Sequence, residues 1–512
     1  MPPVALDPRT PVVVGGGQVT QKAAPEEALE PFDLMAEAAR RAAADAGSSG
    51  LLAAVESVRV VSQLTRRYPD AGALVAERVG ASPRQSLVTT MGGNSPQSLL
   101  NATAVAVQRG ELDVGLLCGA EAWRTRSALR RSGTSRADWT TQPDETPPAD
   151  VLGGDLVMNA PEETERGLFM PVQVYPLFEC ALRAAAVRSV DEHAEHLGRL
   201  WAGFSEVAAT NPYAWLPERR TPEEVRLPSA MNRMVGFPYT KAMNSNNDVD
   251  QGAAVLVCSV EAAGRLGVPA DRWVFPHAGT DAHDHIYVSN RDDLRSYPAI
   301  RIAGRRALAL ADAGVDELDL VDLYSCFPSA VQIAADELGL GLDRQLTVTG
   351  GMSFAGGPWN NYVMHSIATM LPMLREQPEA LGLVTANGGY VTKHAFGVYG
   401  ASPPPAGFRW ESPQAEIDAL PAWAVVSEHD GPVTLEAYTV LHDRDGSRSN
   451  AFAACLTGAG ARAWGVSTDP AILEAMTTYD LVGRPATRSA GGELRLHGTE
   501  RAATPEHPRR GN

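Results

Sequence analysis

At 512 residues the chain has room for three or four domains of about 100–200 residues each. A net charge of −17 argues against nucleic acid or an anionic membrane surface as partner. The five cysteines are far apart and include no CxxC pair, which fits a reducing cytoplasm and argues against a disulfide framework or a metal site. No apolar run reaches the roughly 18 residues of a membrane span, and the first residues lack a signal-peptide pattern, so a cytoplasmic location is expected.

In chain order, Val12–Val14 reads as a buried strand running into Gly15–Gly17. Lacking a GxGxxG spacing and a P-loop lysine, these glycines predict a tight turn where backbones approach closely rather than a phosphate loop. A helix over Ala38–Gly47 leads to a strand at Val58–Ser62. The strand Leu87–Thr90 then turns on Gly92-Gly93 into a helix over Ser95–Arg109, with Leu99, Leu100, Thr103, Ala106 and Val107 at helical spacing. A strand at Val114–Cys118 completes a βαβ unit, whose turn aims backbone N–H groups and the positive end of the helix at one spot.

From Glu121 to Val249 the rhythm breaks into Pro-rich loops, two helices (Tyr175–Ala186 and Val190–Ala209) and further loops. This reads as a large insertion, either shaping a ligand site or serving as a structural lid. Ala254–Cys258 is a continuous strand closing the first half. From Trp273 the pattern repeats: a helix over Arg305–Gly314, a strand at Leu318–Tyr324, Gly356-Gly357-Pro358, a helix over Trp359–Leu374, and a strand at Leu381–Thr385. Two weak repeats in one order predict a duplicated α/β domain. Ser402–Pro405 is a linker. Beyond it, alternating segments at Val433–Leu441, Ala451–Leu456 and Ala461–Val466 predict a small antiparallel, OB-like barrel, with few aromatics and no basic stripe for nucleic acid. The tail from Ala486 on is polar and expected to be mobile.

Asp250-Gln251-Gly252-Ala253-Ala254, the duplicated halves and the order of the turns resemble the thiolase superfamily over residues 10–400. The closest likeness is to sterol-carrier-protein-type thiolases and the bacterial thiolase-like proteins of type 1, which carry an extra C-terminal domain. The resemblance implies an α/β fold of two core halves layered α-β-α-β-α. It divides the chain at 1–122 and 248–262 (first half), 123–247 (inserted loop domain), 263–402 (second half), 403–490 (β-barrel) and 491–512 (tail).

It also implies where the family's reactive groups would stand. The acyl-accepting cysteine maps to Gly93, the histidine of the Gly-His-Pro turn to Gly357, and the proton-moving cysteine to Ala386. The group that orients an oxyanion-hole water maps to Tyr324, in Tyr324-Ser325-Cys326-Phe327. Glycine cannot hold an acyl group and alanine cannot carry a proton, so the covalent route is closed. What remains are the backbone N–H groups at Gly93 and Gly388, which resemble an oxyanion hole. Tyr324 is a phenol that serves either as an acid or base, or as a satisfied pocket wall. The small residues also leave room for a bulkier substrate.

Other candidates are Ser95, as nucleophile or helix cap, and His394 and His365, as bases or packed histidines. Asn94, Trp359, Asn360, Asn361 and Asn387 are candidate contacts at the turns, with capping the plainer role for the asparagines. Cys326 is read as a buried apolar residue.

The expected function is that of an acyl-CoA-handling, acetyl-CoA acetyltransferase-like protein in lipid metabolism. It would need no cofactor beyond coenzyme A as a substrate moiety. The alternatives are a retro-aldolase using Tyr324 and a non-catalytic CoA or lipid binder. Arg219, Arg220, Arg233 and Lys241 are available for CoA phosphates. A homodimer through the first core domain is the default, and the extra barrel could leave a monomer.

Overall fold

The computed structural model describes residues 6–134 and 139–497. Its strands run β1 (Pro11–Thr20), β2 (Ser57–Val60), β3 (Gln85–Thr89), β4 (Val114–Ala122), β5 (Asp150–Leu152), a short β6 (Met234–Gly236) and β7 (Tyr239–Thr240), and β8 (Asp250–Ser259). The first core sheet has the order β1-β8-β4-β2-β3-β5. The second half supplies β9 (Phe275–His283), β10 (Leu318–Asp322), β11 (Leu381–Gly388), β12 (Lys393–Gly400) and β13 (Arg409–Glu411), ordered β10-β11-β12-β9-β13.

The duplication is visible in the pairing. In the first half β2 runs parallel to β4, β4 antiparallel to β8, and β8 antiparallel to β1. In the second half β10 runs parallel to β11, β11 antiparallel to β12, and β12 antiparallel to β9. Helices Ser95–Gln108 and Tyr362–Glu376 pack between the two sheets, and helices Pro31–Ala46 and Pro298–Leu310 cover the outer faces. This is the expected five-layer arrangement. The apolar helix faces and continuous buried strands are what such a doubly covered sheet requires.

Two details differ from expectation. Gly15–Gly17 form no turn, because β1 continues through them with a register shift between Val13 and Gly15. A side chain at Gly15 would meet the Ala42 carbonyl oxygen at 2.0 Å, and one at Gly17 the Ala38 carbonyl oxygen at 2.1 Å. The glycines therefore let helix Pro31–Ala46 lie directly on the strand. The tail expected from Ala486 instead forms β17 (Pro485–Arg488) and β18 (Leu494–Leu496), following β14 (Gly431–His442), β15 (Arg448–Thr457) and β16 (Arg462–Ser467). Residues 498–512 of that tail lie outside the described residues. The third sheet runs β16-β15-β14-β17-β18, and its ends meet at one isolated bridge, Val466–Glu493, so the sheet curls round on itself.

Each core sheet is extended at one edge. β5, from the insertion, pairs with the free edge of β3, and β13 covers β9. The insertion is pinned to the second half by a buried network. The Glu179 carboxylate meets His193 Nε2 at 2.7 Å and accepts from the Tyr239 hydroxyl at 2.7 Å and from Gln332 Nε2 at 2.9 Å. Burial opposes ionisation of Glu179, but His193, Tyr239 and Gln332 together hold its carboxyl below the usual range. No helix among the described residues is long and apolar enough to cross a membrane.

Candidate functional site

The duplicated turns meet where the two central helices begin. The first turn, Met91–Asn94, enters helix Ser95–Gln108; the second, Gly356–Asn361, enters helix Tyr362–Glu376. Asn360 and Asn361 brace the halves against each other. Asn360 Oδ1 accepts from Gly92 N at 3.1 Å and its Nδ2 donates to the Ser62 carbonyl at 2.8 Å, while Asn361 Nδ2 donates to the Gly119 carbonyl at 2.6 Å. These amide bonds serve cross-bracing and not helix capping, and the buried Asn361 Oδ1 is left unpaired.

Gly93 sits against Tyr324. A Cβ on Gly93 would lie 2.1 Å from the Tyr324 hydroxyl oxygen and 2.4 Å from the Asn387 carbonyl oxygen. The phenol thus fills the space a nucleophilic side chain would need, and the room expected for a bulkier substrate is taken. Tyr324 is 9% exposed. Its backbone N donates to Thr385 Oγ1 at 2.9 Å, and its ring meets Tyr362 edge-on at 5.7 Å. Its hydroxyl has no protein partner among the described residues. Burial raises its pKa well above the ordinary phenol value, so it is a neutral donor and not a base.

Around this pair the glycines are enforced by contact. A side chain at Gly388 would meet Asn94 Oδ1 at 2.5 Å and Lys393 Cε at 3.1 Å; one at Gly92 would meet Asn94 Oδ1 at 2.4 Å and Lys393 Nζ at 2.8 Å. Asn94 is the helix N-cap but makes no capping bond; its Nδ2 donates to Ser98 Oγ at 3.3 Å and its buried Oδ1 is unpaired. Asn387 Nδ2 donates to the Tyr175 hydroxyl at 3.2 Å, and its buried Oδ1 is likewise unpaired. Ser95, one residue past the cap, has its hydroxyl tied to the Thr90 carbonyl at 2.9 Å and is 4% exposed.

The second turn is more regular at Gly357. Its N donates to the Asn246 carbonyl at 2.9 Å, and its carbonyl accepts from Asn247 Nδ2 at 2.6 Å. Trp359 holds a left-handed backbone, φ 48°, with its buried indole N–H unpaired and its ring edge-on to Trp123 at 4.9 Å. A bulky residue in that conformation stores strain, a property that clusters at functional sites.

The candidate bases do not face the turn as free groups. His394 Nε2 lies 3.2 Å from the Val391 carbonyl, and burial drops its pKa to about 3. It shares with Tyr324 a cavity of about 10 Å³, at the lower limit for a single water. His365 points at β1, with Nδ1 2.9 Å from Gln18 Oε1, and burial lowers it to about 3 as well. Cys326 is buried, and burial pushes its thiol up to about 12, so it forms no thiolate there.

Three residues that the sequence patterns did not single out complete the site. Lys393, first residue of β12, reaches back over the glycines and donates from Nζ to the Met91 carbonyl. Burial lowers its pKa, and it has no ion-pair partner among the described residues. The Tyr175 hydroxyl donates to the Gly389 carbonyl at 2.9 Å and accepts from Val391 N at 3.2 Å, fixing the glycine turn. Met158 covers Gly389, its Cε 2.1 Å from where a Cβ would stand. The β11–β12 hairpin sets Lys393 opposite Gly388, but only the tertiary fold brings its Nζ to the Met91 carbonyl.

Paired glycine turns at the starts of two central helices, buried between duplicated mixed sheets, define a protein of the thiolase superfamily. A family description, thiolase-like protein type 1 additional C-terminal domain, matches residues 413–491. A monomeric SCP2-thiolase-like protein type 1 from Mycobacterium smegmatis is 31% identical, with a TM-score of 0.82, covering 96% of this chain and 100% of that one. The chain belongs to this type 1 family of SCP2-thiolase-like proteins. An acetyl-CoA acetyltransferase of Methanocaldococcus jannaschii is 27% identical over 134 residues, 26% of this chain; the match spans about a third (33%) of that relative. The Ltp2-ChsH2(DUF35) aldolase shares the fold, at a TM-score of 0.57 and 18% identity, covering 77% of this chain and 98% of that one.

Proposed function

We propose that the chain handles acyl-CoA thioesters without ever forming an acyl-enzyme. The observation that carries this is the Tyr324 hydroxyl standing 2.1 Å from the Gly93 Cβ position. The place of the acyl acceptor is occupied by a neutral hydrogen-bond donor. Tyr324 and the Gly93 and Gly388 N–H groups would bind and polarise a thioester carbonyl, and the helix start adds its positive end. The ligand enters only if Met158 and its neighbours move, because the cavity touching Tyr324 is about 10 Å³. The five cysteines are buried free thiols, which suits a reducing cytoplasm. With β5 on the β3 edge, and a solved relative described as monomeric, the working unit is a monomer.

Thermal unfolding with CoA, acetyl-CoA and a longer acyl-CoA, joined to intact-protein mass measurement, tests this. An acyl-CoA at about 100 times its dissociation constant should stabilise by roughly 2.7 kcal/mol. The protein should gain no acyl mass, and Tyr324→Phe should weaken the shift. Acylation of the protein, or no shift with any thioester, overturns the reading.

A second reading is retro-aldol cleavage of a β-hydroxyacyl thioester, and Lys393 favours it. Held closer to its neutral form beside the same glycines, it offers a base that Tyr324 does not. It would take the β-hydroxyl proton as the Cα–Cβ bond breaks to a carbonyl product and an enolate. Gly93 and Gly388 N–H would hold the enolate oxygen until Cα is protonated. Release of a carbonyl product that is abolished in Lys393→Met is the expected signature; release that persists in that variant removes Lys393 from the step.

A further inference from the structure

A wide opening among the described residues lies away from the glycine turns. It is a cleft of about 1380 Å³ between helix Val190–Ala208, the Gly16–Gln18 stretch of β1, helix Tyr362–Glu376 and the segment 342–348. It runs into a second opening of about 510 Å³, sharing Arg199, Gly203 and Glu206 with it. None of Gly93, Tyr324, Gly357 or Gly388 lines either space.

The two ends of this groove differ in chemistry. Leu200, Phe204, Val348 and Met373 form an apolar wall, and Arg199, Arg219 and Arg220 gather at the other end. Arg219 and Arg220 have no ion-pair partner among the described residues. Arg199 pairs only with Glu195, at 3.8 Å, both well exposed, a contact worth little. Over the groove five arginines face three carboxylates, and one of these, Asp45, is already bound twice by Arg375 Nη1 at 2.9 and 2.8 Å. In a chain of net charge −17, a locally positive groove with an apolar wall concentrates anions rather than cations. Its volume exceeds the roughly 300–1,000 Å³ of ordinary small-ligand sites, so it suits an elongated ligand.

We infer that this groove binds an amphipathic anion. A long acyl chain lies along the Leu200–Phe204–Met373 wall, and a carboxylate or phosphate head is held by Arg199, Arg219 and Arg220. Free fatty acid and acyl-CoA share this chemistry, and the test separates them. This site is independent of the glycine turns, so its failure and theirs can be told apart.

Gly203 provides the test, because a Cβ placed on it meets nothing within 4 Å. Gly203→Trp therefore starts a bulky side chain from open space on the groove wall, and Gly203→Ala is its control. Calorimetric titration of the full chain with palmitate, palmitoyl-CoA and CoA, each below its micelle range, is read alongside circular dichroism to confirm folding. Saturable binding of palmitate, of palmitoyl-CoA or of both is expected. It should be at least about tenfold weaker in Gly203→Trp, intact in Gly203→Ala, and weakened together with its salt dependence in Arg219→Gln/Arg220→Gln. Palmitate binding identifies a carboxylate head; binding of palmitoyl-CoA alone identifies the phosphates. No saturable binding of either amphiphile overturns the inference. So does binding that folded Gly203→Trp leaves unchanged, and binding lost only in Tyr324→Phe assigns the ligand to the glycine turns instead.

Discussion

Gly93, in the turn that enters one helix, and Gly203, within another, have opposite surroundings. At Gly93 the space for a side chain is filled from two sides, by the Tyr324 phenol and the Asn387 carbonyl; at Gly203 it is open groove. The first region is tightly packed and keeps polar atoms such as Asn94 Oδ1 and Asn387 Oδ1 buried. The second keeps its charges at the surface and its volume empty. The widest of the described openings therefore stands apart from the paired glycine turns.

Acidification should produce the largest effect and tests how dry the closed region is. His394 behind Tyr324 and His365, facing β1 from helix Tyr362–Glu376, are both lowered to about 3 from 6.5. The unfolded chain takes up protons first, so the contribution is fully present above about pH 6.5 and falls as pH drops toward 3. The slope is up to about 1.4 kcal/mol per pH unit for each histidine. Urea unfolding across that window, with His394→Asn flattening part of the slope, checks it; a flat profile would mean that water already reaches these rings.

Next in size is Gly93→Ala, expected to cost about 3 kcal/mol through overpacking. Tyr324→Ala in the same chain should recover only the phenol's share, since the Asn387 carbonyl remains at 2.4 Å. A Gly93→Ala protein as stable as the parent would break the comparison. Tyr324→Phe alone should change stability by no more than about 1 kcal/mol, because the hydroxyl makes no bond among the described residues. A larger loss in thermal melts would reveal a buried partner for it. The smallest effect is of opposite sign: Gly203→Ala should stabilise by up to about 1 kcal/mol, the helix-propensity gain of an unhindered glycine. A loss there would mean that the groove is narrower than its walls indicate.

Much of the fold was legible in the residues. Repeated glycine turns, buried strand runs and helical spacing located both halves, because each rests on local backbone preference and on period. The Gly15–Gly17 turn was misplaced for an instructive reason. Glycines permit a close helix contact as readily as a turn, and only Ala38 and Ala42 in space distinguish the two. Likewise Ala486–Leu496 looked like tail, since short polar strands at a sheet edge carry little signal of their own.

The sequence by itself determined that no thiolate, imidazole or second thiol stands at the three mapped positions, because a residue's chemistry travels with its identity. It also determined the duplication and the extra C-terminal domain, since both are written in order and period. Only the tertiary structure decided that Tyr324 fills the space at Gly93, that Lys393 crosses over the glycines, that β5 covers the β3 edge, and that a groove opens beside Gly203. Each of these depends on strand register and on helices meeting across long stretches of chain, and no local preference specifies which distant residue will occupy a given few ångströms.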